Sequence, residues 1–258
     1  MKPLSELDPR GVRAVLLDID ETLTTDGKLT AQAYGALERL DRAGLRVVPV
    51  TGRPAGWCDH IARMWPVEAV VGENGAFYFF YAGKRLHKRF HDEAQTRAQK
   101  RKRLDAVAAQ VLAAVPGCAL ASDQPYRETD LAIDYCEDVA ALPLESANRI
   151  AELMRAAGLT AKVSSIHVNG WFGEYDKLAM TRQLFAERLG LDLGRANREV
   201  VFAGDSPNDA PMFGFFQNSV GVANVRRFEA LLPEQPKYVT TRASGAGFAE
   251  LADHLLRS

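Results

Sequence analysis

The sequence predicts an α/β protein with a parallel-sheet core and a smaller α+β module inserted into it. Near both ends of the chain, short runs of apolar, β-forming residues alternate with amphipathic helical patterns, an arrangement typical of a parallel sheet. Between these parts, after an aromatic run at residues 77–81, a long helical pattern and then mixed strand and helix patterns replace the alternation. We therefore expect a discontinuous core of residues 1–82 and 175–258, with an inserted α+β cap at 83–174.

The first core elements show the clearest patterns. Residues 12–17 form an apolar run that stops at the charged Asp18, as expected for a strand buried on both faces. Thr30 is suited to cap the N-terminus of the next helix, and Gly44 is suited to end it. A strand at residues 45–50, a helix at 54–64 and a strand at 69–71 continue the alternation.

The remaining elements are predicted from the same periodicities and from turn residues. In the module they are a helix at residues 93–115, a strand at 131–135, a helix at 144–157 and a strand pair at 161–168. In the second part of the core they are a helix at 177–189, strands at 199–203, 219–222 and 238–240, and a closing helix from 248. The two flanking parts would together complete one sheet.

The overall composition gives no reason to expect a nucleic-acid or membrane partner. Of the 258 residues, 47% are hydrophobic, and 32 lysines and arginines balance 33 aspartates and glutamates, so any anion binding must be local. The longest apolar stretch, at 76–82, is far too short to span a membrane, and the N-terminus has no signal-peptide pattern. Three widely spaced cysteines fit neither a disulfide framework nor a metal motif. We expect a cytoplasmic protein with a small-molecule partner, and the sequence leaves the oligomeric state open.

Four polar clusters lie where an open parallel sheet binds its ligands, at the carboxyl ends of strands. They are Asp18 to Thr22, Thr51 to Arg53, Lys177, and Asp205 to Asp209. Each cluster also has an ordinary structural interpretation as turn or helix-capping residues. Independent turns should not all supply the same kind of chemistry, so the set as a whole indicates a site.

The first cluster contains two carboxylates. Asp18 and Asp20 are two residues apart, which in an extended backbone directs both side chains to the same side. Their repulsion calls for a cation, and a hard ion held by few carboxylates, water and substrate phosphate describes Mg²⁺. Asp205 offers a third ligand.

The other clusters leave alternatives open. Ser206 suits a helix N-cap with Pro207 at the first position, but capping does not explain Asp205. Thr51 is either a residue of a helix start or a donor to phosphate. Lys177 is more informative, because a cation in the first turn of a helix opposes the helix dipole and a nearby anion would offset that cost.

The ordered set of motifs resembles the haloacid dehalogenase superfamily. Its phosphatases carry D-x-D-x-T, a hydroxyl residue after the next strand, a lysine, and G-D-x-x-x-D, and all four occur here in that order. The resemblance covers nearly the whole chain and implies a Rossmann-like core. The position of the inserted cap, between the second and third motifs, looks like the Cof-type sugar-phosphatase branch. One departure is Glu21, where that branch often has glycine; it either narrows the site or faces solvent.

The resemblance implies a role for each motif. Asp18 would attack phosphorus and form an aspartyl-phosphate, and Asp20 would serve as general acid and then as general base. The implied phosphate-binding residues are Thr51, Gly52, Lys177 and Asn208. The implied Mg²⁺ ligands are Asp18, the main-chain oxygen of Asp20, and Asp205, with Thr22 and Asp209 as supporting residues. The implied activity is Mg²⁺-dependent hydrolysis of a small phosphorylated metabolite, with a sugar phosphate favoured.

Substrate recognition is expected from the cap. His167, Asn169 and Trp171 alternate along a strand and would share one face, where they are suited to line a pocket for a hydroxylated substrate. Arg127 would add a cationic contact. The competing interpretation is an ordinary solvated strand face with Trp171 half buried.

A cluster of nine lysines and arginines lies between residues 84 and 103. It could attract nucleic acid, but we favour a solvated helix and linker, with mild steering of an anionic substrate as an intermediate possibility. Two further alternatives concern the site itself. The chain could be a phosphomutase that uses the same aspartyl-phosphate, or a metabolite-binding protein without turnover.

Overall fold

The computed structural model describes residues 1–164 and 166–257. Within them, the α-helices are α1 (Ala31–Arg42), α2 (Ala55–Met64), α3 (Ala94–Ala114), α4 (Leu144–Ala156), α5 (Lys177–Leu189), α6 (Ala210–Phe215) and α7 (Ser244–Leu255). The strands are β1 (Lys2–Pro3), β2 (Ala14–Leu17), β3 (Arg46–Pro49), β4 (Val70–Gly72), β5 (Phe77–Ala82), β6 (Arg85–Phe90), β7 (Ala119–Leu120), β8 (Leu131–Asp134), β9 (Thr160–Val163), β10 (His167–Trp171), β11 (Val200–Gly204), β12 (Asn218–Gly221) and β13 (Tyr238–Val239).

A parallel sheet forms the centre of the molecule, as predicted. Its strand order is β1-β13-β12-β11-β2-β3, and every neighbouring pair is parallel. Leu16 packs into one apolar cluster and Val15 and Leu17 into another on the opposite face, because side chains alternate along a strand and helices cover both faces. The neighbouring strands β2 and β11 pair Leu17 with Ala203, so the loops that follow them leave the sheet side by side.

After α2, the chain forms a small antiparallel sheet that ends in a β-hairpin. Its last strand, β6, was not predicted. β4, β5 and β6 form a three-stranded antiparallel sheet. The turn between β5 and β6 consists of Gly83 and Lys84, both with positive φ (57° and 61°), the conformation of a tight two-residue hairpin turn. β6 carries mainly exposed basic residues, so it lacks the apolar alternation that marks a strand in sequence.

The cap region has its own sheet and its own apolar core. Its strand order is β7-β8-β10-β9, and each neighbouring pair is antiparallel. α3 and α4 pack on this sheet, with Leu104, Ile133, Ile150 and Val168 among the buried residues. The domain boundaries at residues 82/83 and 174/175 stay a prediction.

The closing helix begins earlier than predicted. α7 starts at Ser244 rather than at residue 248, and its first turn contains Gly245 and Gly247. Glycine disfavours a helix interior, which hides this start in the sequence. Here the glycines permit close packing, because a Cβ at Gly245 would lie 2.6 Å from the Leu23 carbonyl oxygen. Within the described ranges, none of the helices is both long enough and apolar enough to cross a membrane.

Candidate active site

Three buried carboxylates meet where β2 and β11 end. Asp18 follows β2, and Asp205 and Asp209 belong to the segment after β11. One carboxylate oxygen from each lies within 4.8 Å of the others, and all three residues are at most 4% exposed. The sheet register therefore brings together residues that are 187 positions apart in sequence.

Lys177 lies against this cluster. It is the first residue of α5, and its Nζ donates to Asp18 Oδ1 and to Asp209 Oδ1, both at 2.8 Å. Asp176 caps the same helix by accepting from the Ala179 amide. The contact with two carboxylates offsets the unfavourable position of a buried cation at a helix N-terminus.

Asp205 and Asp209 have different partners. Both oxygens of Asp209 are engaged by the protein, Oδ1 by Lys177 and Oδ2 by the amides of Asp205 and Ser206. Asp205 accepts only from neutral groups, the Thr22 hydroxyl at 3.4 Å and the Asn224 amide at 3.0 Å. Asp209 thus fixes Lys177 and the loop, whereas Asp205 has no cationic partner within the described residues.

The electrostatics of the cluster fit a divalent cation. Burial raises the pKa of Asp18 to about 7 against the opposing attraction of Lys177, and burial raises the pKa of Asp205 well above its usual range. Among the residues that the structure describes, Lys177 is the one cation in contact with these three carboxylates, and it contacts Asp18 and Asp209 alone, so positive charge is lacking. The donors are carboxylate oxygens, the ligands that Mg²⁺ prefers.

Asp20 lies beside the cluster, with its carboxylate turned towards Arg53. Arg53 Nε is 2.9 and 3.0 Å from the two Asp20 oxygens. The same guanidinium reaches Glu137 of the cap, with Nη2 2.7 Å from Oε1. Contact with His167 and with Arg53 lowers the pKa of Glu137 to about 2, against the effect of its partial burial. Arg53 therefore connects Asp20 to the cap.

The remaining residues implied for the phosphate site lie nearby. Gly52 and Asn208 line a cavity with Asp18 and Asp20. Thr51 is fully buried, and its hydroxyl oxygen accepts from the Arg53 amide. Because α2 starts at Ala55 with Pro54 as its N-cap, Thr51 does not cap that helix.

Three of the four cap candidates line the same cavity. Arg127, His167 and Asn169 face it from the cap side. Trp171 does not: it is 1% exposed, donates to the Tyr175 carbonyl oxygen and packs in an apolar cluster. The structure therefore does not place it in the pocket: Trp171 shares the strand face of His167 and Asn169, but it is the last residue of β10, where this face packs against Tyr175 in the core.

The site has an inner and an outer cavity. The inner cavity, beneath the cap, has a volume of about 10 Å³ and is lined by the residues just described. The outer cavity has a volume of about 420 Å³ and is lined by Asp20, Glu21, Asp205, Arg227 and Phe228, among others. The inner cavity has room for about one water molecule. The wider space beside Asp20 is the outer cavity.

Glu21, where the sequence departs from the expected motif, makes local contacts with its side chain. Its φ is 56°, a left-handed conformation that favours glycine. Its carboxylate accepts from the Gly27 amide and from the Ser244 hydroxyl. These local bonds hold the side chain at the edge of the outer cavity.

Glu73 was not singled out from the sequence. This carboxylate is fully buried and accepts from the amides of Ala55, Glu128, Thr129 and Asp130 and from the Thr129 hydroxyl. It thereby ties the start of α2 to the cap segment that follows Arg127. The one available signal was an acidic residue inside an otherwise apolar stretch.

The basic cluster at residues 84–103 is largely paired with acidic or aromatic groups. Lys88 lies near Asp59 and Glu128, Arg89 near Glu187, and Lys100 near Asp92. Arg97 and Arg103 stack on Phe90 and Phe172. Such contacts are typical of a solvent-facing surface whose positive charge is partly neutralised by neighbouring acidic side chains.

Comparison with known proteins agrees with this geometry. Residues 15–102 match the family model of the haloacid dehalogenase-like hydrolases. A phosphoglycolate phosphatase of Methanothrix thermoacetophila is 25% identical over 251 residues, which cover 95% of this chain and 97% of that protein.

Two solved structures have the same fold. A Cof-like hydrolase of Plasmodium vivax matches with a TM-score of 0.68 and 16% identity, covering 96% of both chains. The sucrose-phosphatase of Synechocystis, solved with sucrose and phosphate, matches with a TM-score of 0.63 and 14% identity, covering 95% of this chain and 98% of that one. The chain is thus similar to the haloacid dehalogenase-like hydrolases over residues 15–102, is similar over nearly its whole length to a phosphoglycolate phosphatase, and shares the fold of these two solved structures.

Proposed function

We propose that the protein is a Mg²⁺-dependent phosphatase of a small phosphorylated metabolite that works through an aspartyl-phosphate on Asp18. The observation that carries this proposal is the contact of Lys177 with Asp18 and Asp209, beside the unneutralised carboxylate of Asp205. An exposed turn would not bury three carboxylates and a lysine together. A site that neutralises phosphoryl oxygens and a metal ion needs this set of groups.

The first step transfers the phosphoryl group to the enzyme. An Asp18 carboxylate oxygen attacks phosphorus while the bond from phosphorus to the leaving oxygen breaks, and Asp20 gives its proton to that oxygen. Lys177, Thr51, the Gly52 backbone and Asn208 hold the phosphoryl oxygens. The product alcohol then leaves.

The second step returns the enzyme to its starting state. Asp20, now a carboxylate, takes a proton from a water molecule whose oxygen attacks phosphorus. The bond between phosphorus and Asp18 breaks, which releases inorganic phosphate and restores both carboxyl groups. Asp209 keeps Lys177 in place during both steps through its 2.8 Å contact.

Asp18, the main-chain oxygen of Asp20, and Asp205 would hold Mg²⁺, with Thr22 supporting Asp205. The bound ion would supply positive charge that stabilises the phosphoryl oxygens. The surplus of buried carboxylates over cations supports this assignment.

We further propose that the leaving group is a sugar rather than a carboxylic acid. Arg127 and Arg53, the two arginines of the inner cavity, are already paired with acidic groups: Arg127 with Asp123 and Asp130, and Arg53 with Asp20 and Glu137. A substrate carboxylate in the inner cavity would meet this acidic surplus, because both arginines in its described lining are already paired. Hydroxyl groups can donate to the carboxylates and also accept from Asn169 or His167.

A substrate panel tests the proposal. Purified protein with Mg²⁺ is assayed on hexose phosphates, phosphoglycolate and 4-nitrophenyl phosphate, with phosphate release measured and products identified by phosphorus NMR. We expect free phosphate, and kcat/KM on the best hexose phosphate to be at least ~10-fold higher than on phosphoglycolate, the equivalent of about 1.4 kcal/mol. An isomerised sugar phosphate would instead identify a mutase. A preference for phosphoglycolate would contradict the sugar assignment.

A further inference from the structure

Arg53 lies between the core and the cap and contacts acidic side chains of both. The catalytic steps proposed above assign it no role. Arg53 follows Gly52 at the start of the segment that leads into α2, and its side chain is only 5% exposed. Nε and Nη2 face the Asp20 carboxylate at 2.7–3.0 Å. Its guanidinium carbon lies 4.4 Å from the centre of the Trp57 ring. The core thus fixes one edge of the guanidinium against Asp20.

The cap fixes the other edge. Glu137 Oε1 accepts from Arg53 Nη2 at 2.7 Å, and Asp123 Oδ2 lies 3.5 Å from Nη1. Glu137 is itself held in position, because the buried Asp134 side chain accepts from the amides of residues 136, 137 and 138. His167 Nε2 lies 2.9 Å from the other Glu137 oxygen. The cap therefore presents a preformed acceptor to Arg53.

Because the guanidinium group is planar and rigid, its contact with Asp20 and its contact with Glu137 depend on each other. An arginine fork has fixed donor directions, so its orientation against Glu137 also sets its orientation against Asp20. If the cap moves away, Arg53 loses Glu137 and Asp123 and keeps Asp20 alone. A lysine in its place would carry the charge but could not hold both partners in one plane.

We propose that Arg53 is a positioning residue that holds the Asp20 carboxylate in its working orientation when the cap is closed, with Glu137 as the cap's part of the contact. This inference rests on the proposed function, in which Asp20 is the general acid. According to this inference, closure of the cap does two things: it encloses the substrate, and it fixes the orientation of the general acid Asp20. The misplacement of a general acid weakens proton transfer specifically.

The dependence on the leaving group provides the test. An alkyl leaving group such as a hexose hydroxyl needs a proton from Asp20, whereas 4-nitrophenolate leaves readily without one. We compare kcat/KM on a hexose 6-phosphate and on 4-nitrophenyl phosphate for Arg53→Lys, Glu137→Gln and the double variant. We expect Arg53→Lys to lower kcat/KM on the hexose phosphate roughly 10-fold to 100-fold more than on the aryl phosphate. We expect a smaller selective loss for Glu137→Gln, and for the double variant little more than the loss of Arg53→Lys alone.

Glu128→Gln is the matched control. Glu128 is also a cap-segment carboxylate that pairs with basic residues, Lys88 and Arg97, but it lies outside the site. This variant should leave both substrates within about twofold of wild type. Equal losses on the two substrates in both Arg53→Lys and Glu137→Gln would overturn the positioning role and leave the phosphatase proposal intact. Absence of hydrolysis by the wild-type protein with Mg²⁺ would overturn the proposed function and this inference with it.

Discussion

Replacing Asp18 by asparagine is expected to lower kcat roughly 10⁴-fold or more on every phosphoester. The amide has nearly the shape of the carboxylate, so Lys177 and Asp209 keep their surroundings, but the amide oxygen is too weak a nucleophile to form the acyl phosphate. The contact of Lys177 Nζ with Asp18 Oδ1 at 2.8 Å indicates that the carboxylate is the form which the site is built to hold. The measurement is phosphate release over hours at high enzyme concentration.

Asp253→Asn is the control for this variant. Asp253 is a half-exposed aspartate that pairs with Arg39 far from the site, and its replacement should leave kcat within about twofold. Circular dichroism of Asp18→Asn should match that of wild type. A folded Asp18→Asn protein with undiminished turnover would exclude Asp18 as the nucleophile.

The second large effect is expected from the metal site. Chelation with EDTA should abolish hydrolysis, and added Mg²⁺ should restore it. Asp205→Asn should raise the Mg²⁺ concentration needed for half-maximal activity at least ~10-fold, because even outer-shell changes cost ~10–100-fold in metal affinity. The physical reason is that Asp205, unlike Asp209, has no cationic partner within the described part of the chain, so a metal ion is what its buried charge requires.

Two readouts separate this effect from damage to the loop. Isothermal titration with Mg²⁺ reports binding without turnover and should show the same loss of affinity in Asp205→Asn. Asp253→Asn serves again as the unaffected comparison. An unchanged Mg²⁺ requirement in Asp205→Asn, measured by both methods, would contradict the placement of the ion.

The parts of the fold that depend on local patterns were predictable from the sequence. Helix α1 begins after Thr30, whose side chain accepts from the Ala33 amide as a capping residue should, and Gly44 follows its end. The apolar run that stops at Asp18 forms a central strand of a parallel sheet. These features follow from backbone capping and burial within one stretch of chain.

The meeting of the four motifs at one site was predicted from the topology of parallel sheets rather than from a local pattern. Carboxyl ends of neighbouring parallel strands meet at one sheet edge, so Asp18 and Asp205 were expected together. The dipole argument for Lys177 anticipated a nearby anion, and the structure places two carboxylates there. The roles assigned to these residues stay predictions, because geometry alone does not measure chemistry.

The contacts between cap and core were not predictable from sequence patterns. Arg53 was expected only as a member of a polar cluster at the sheet edge, yet it pairs with Asp20 and with Glu137 of the cap. Glu73 was not singled out at all, yet its carboxylate accepts from the amides of Glu128 and Thr129 in the cap segment. Each of these depends on a surface brought from a distant part of the chain, which no local periodicity records. The same holds for Trp171, whose strand alternation was right but whose position relative to the cavity was not.

Trapping the phosphorylated enzyme tests the central claim most directly. The Asp20→Asn variant, in which activation of water is slowed, is mixed with Mg²⁺ and 4-nitrophenyl phosphate, whose leaving group needs no proton from Asp20. The sample is quenched in acid and reduced with borohydride, which converts an aspartyl-phosphate to homoserine. Peptide mass spectrometry should then find homoserine at position 18, and only in samples that received substrate. Conversion of a different residue, or no conversion at position 18 while the variant still consumes substrate, would contradict a mechanism that passes through Asp18.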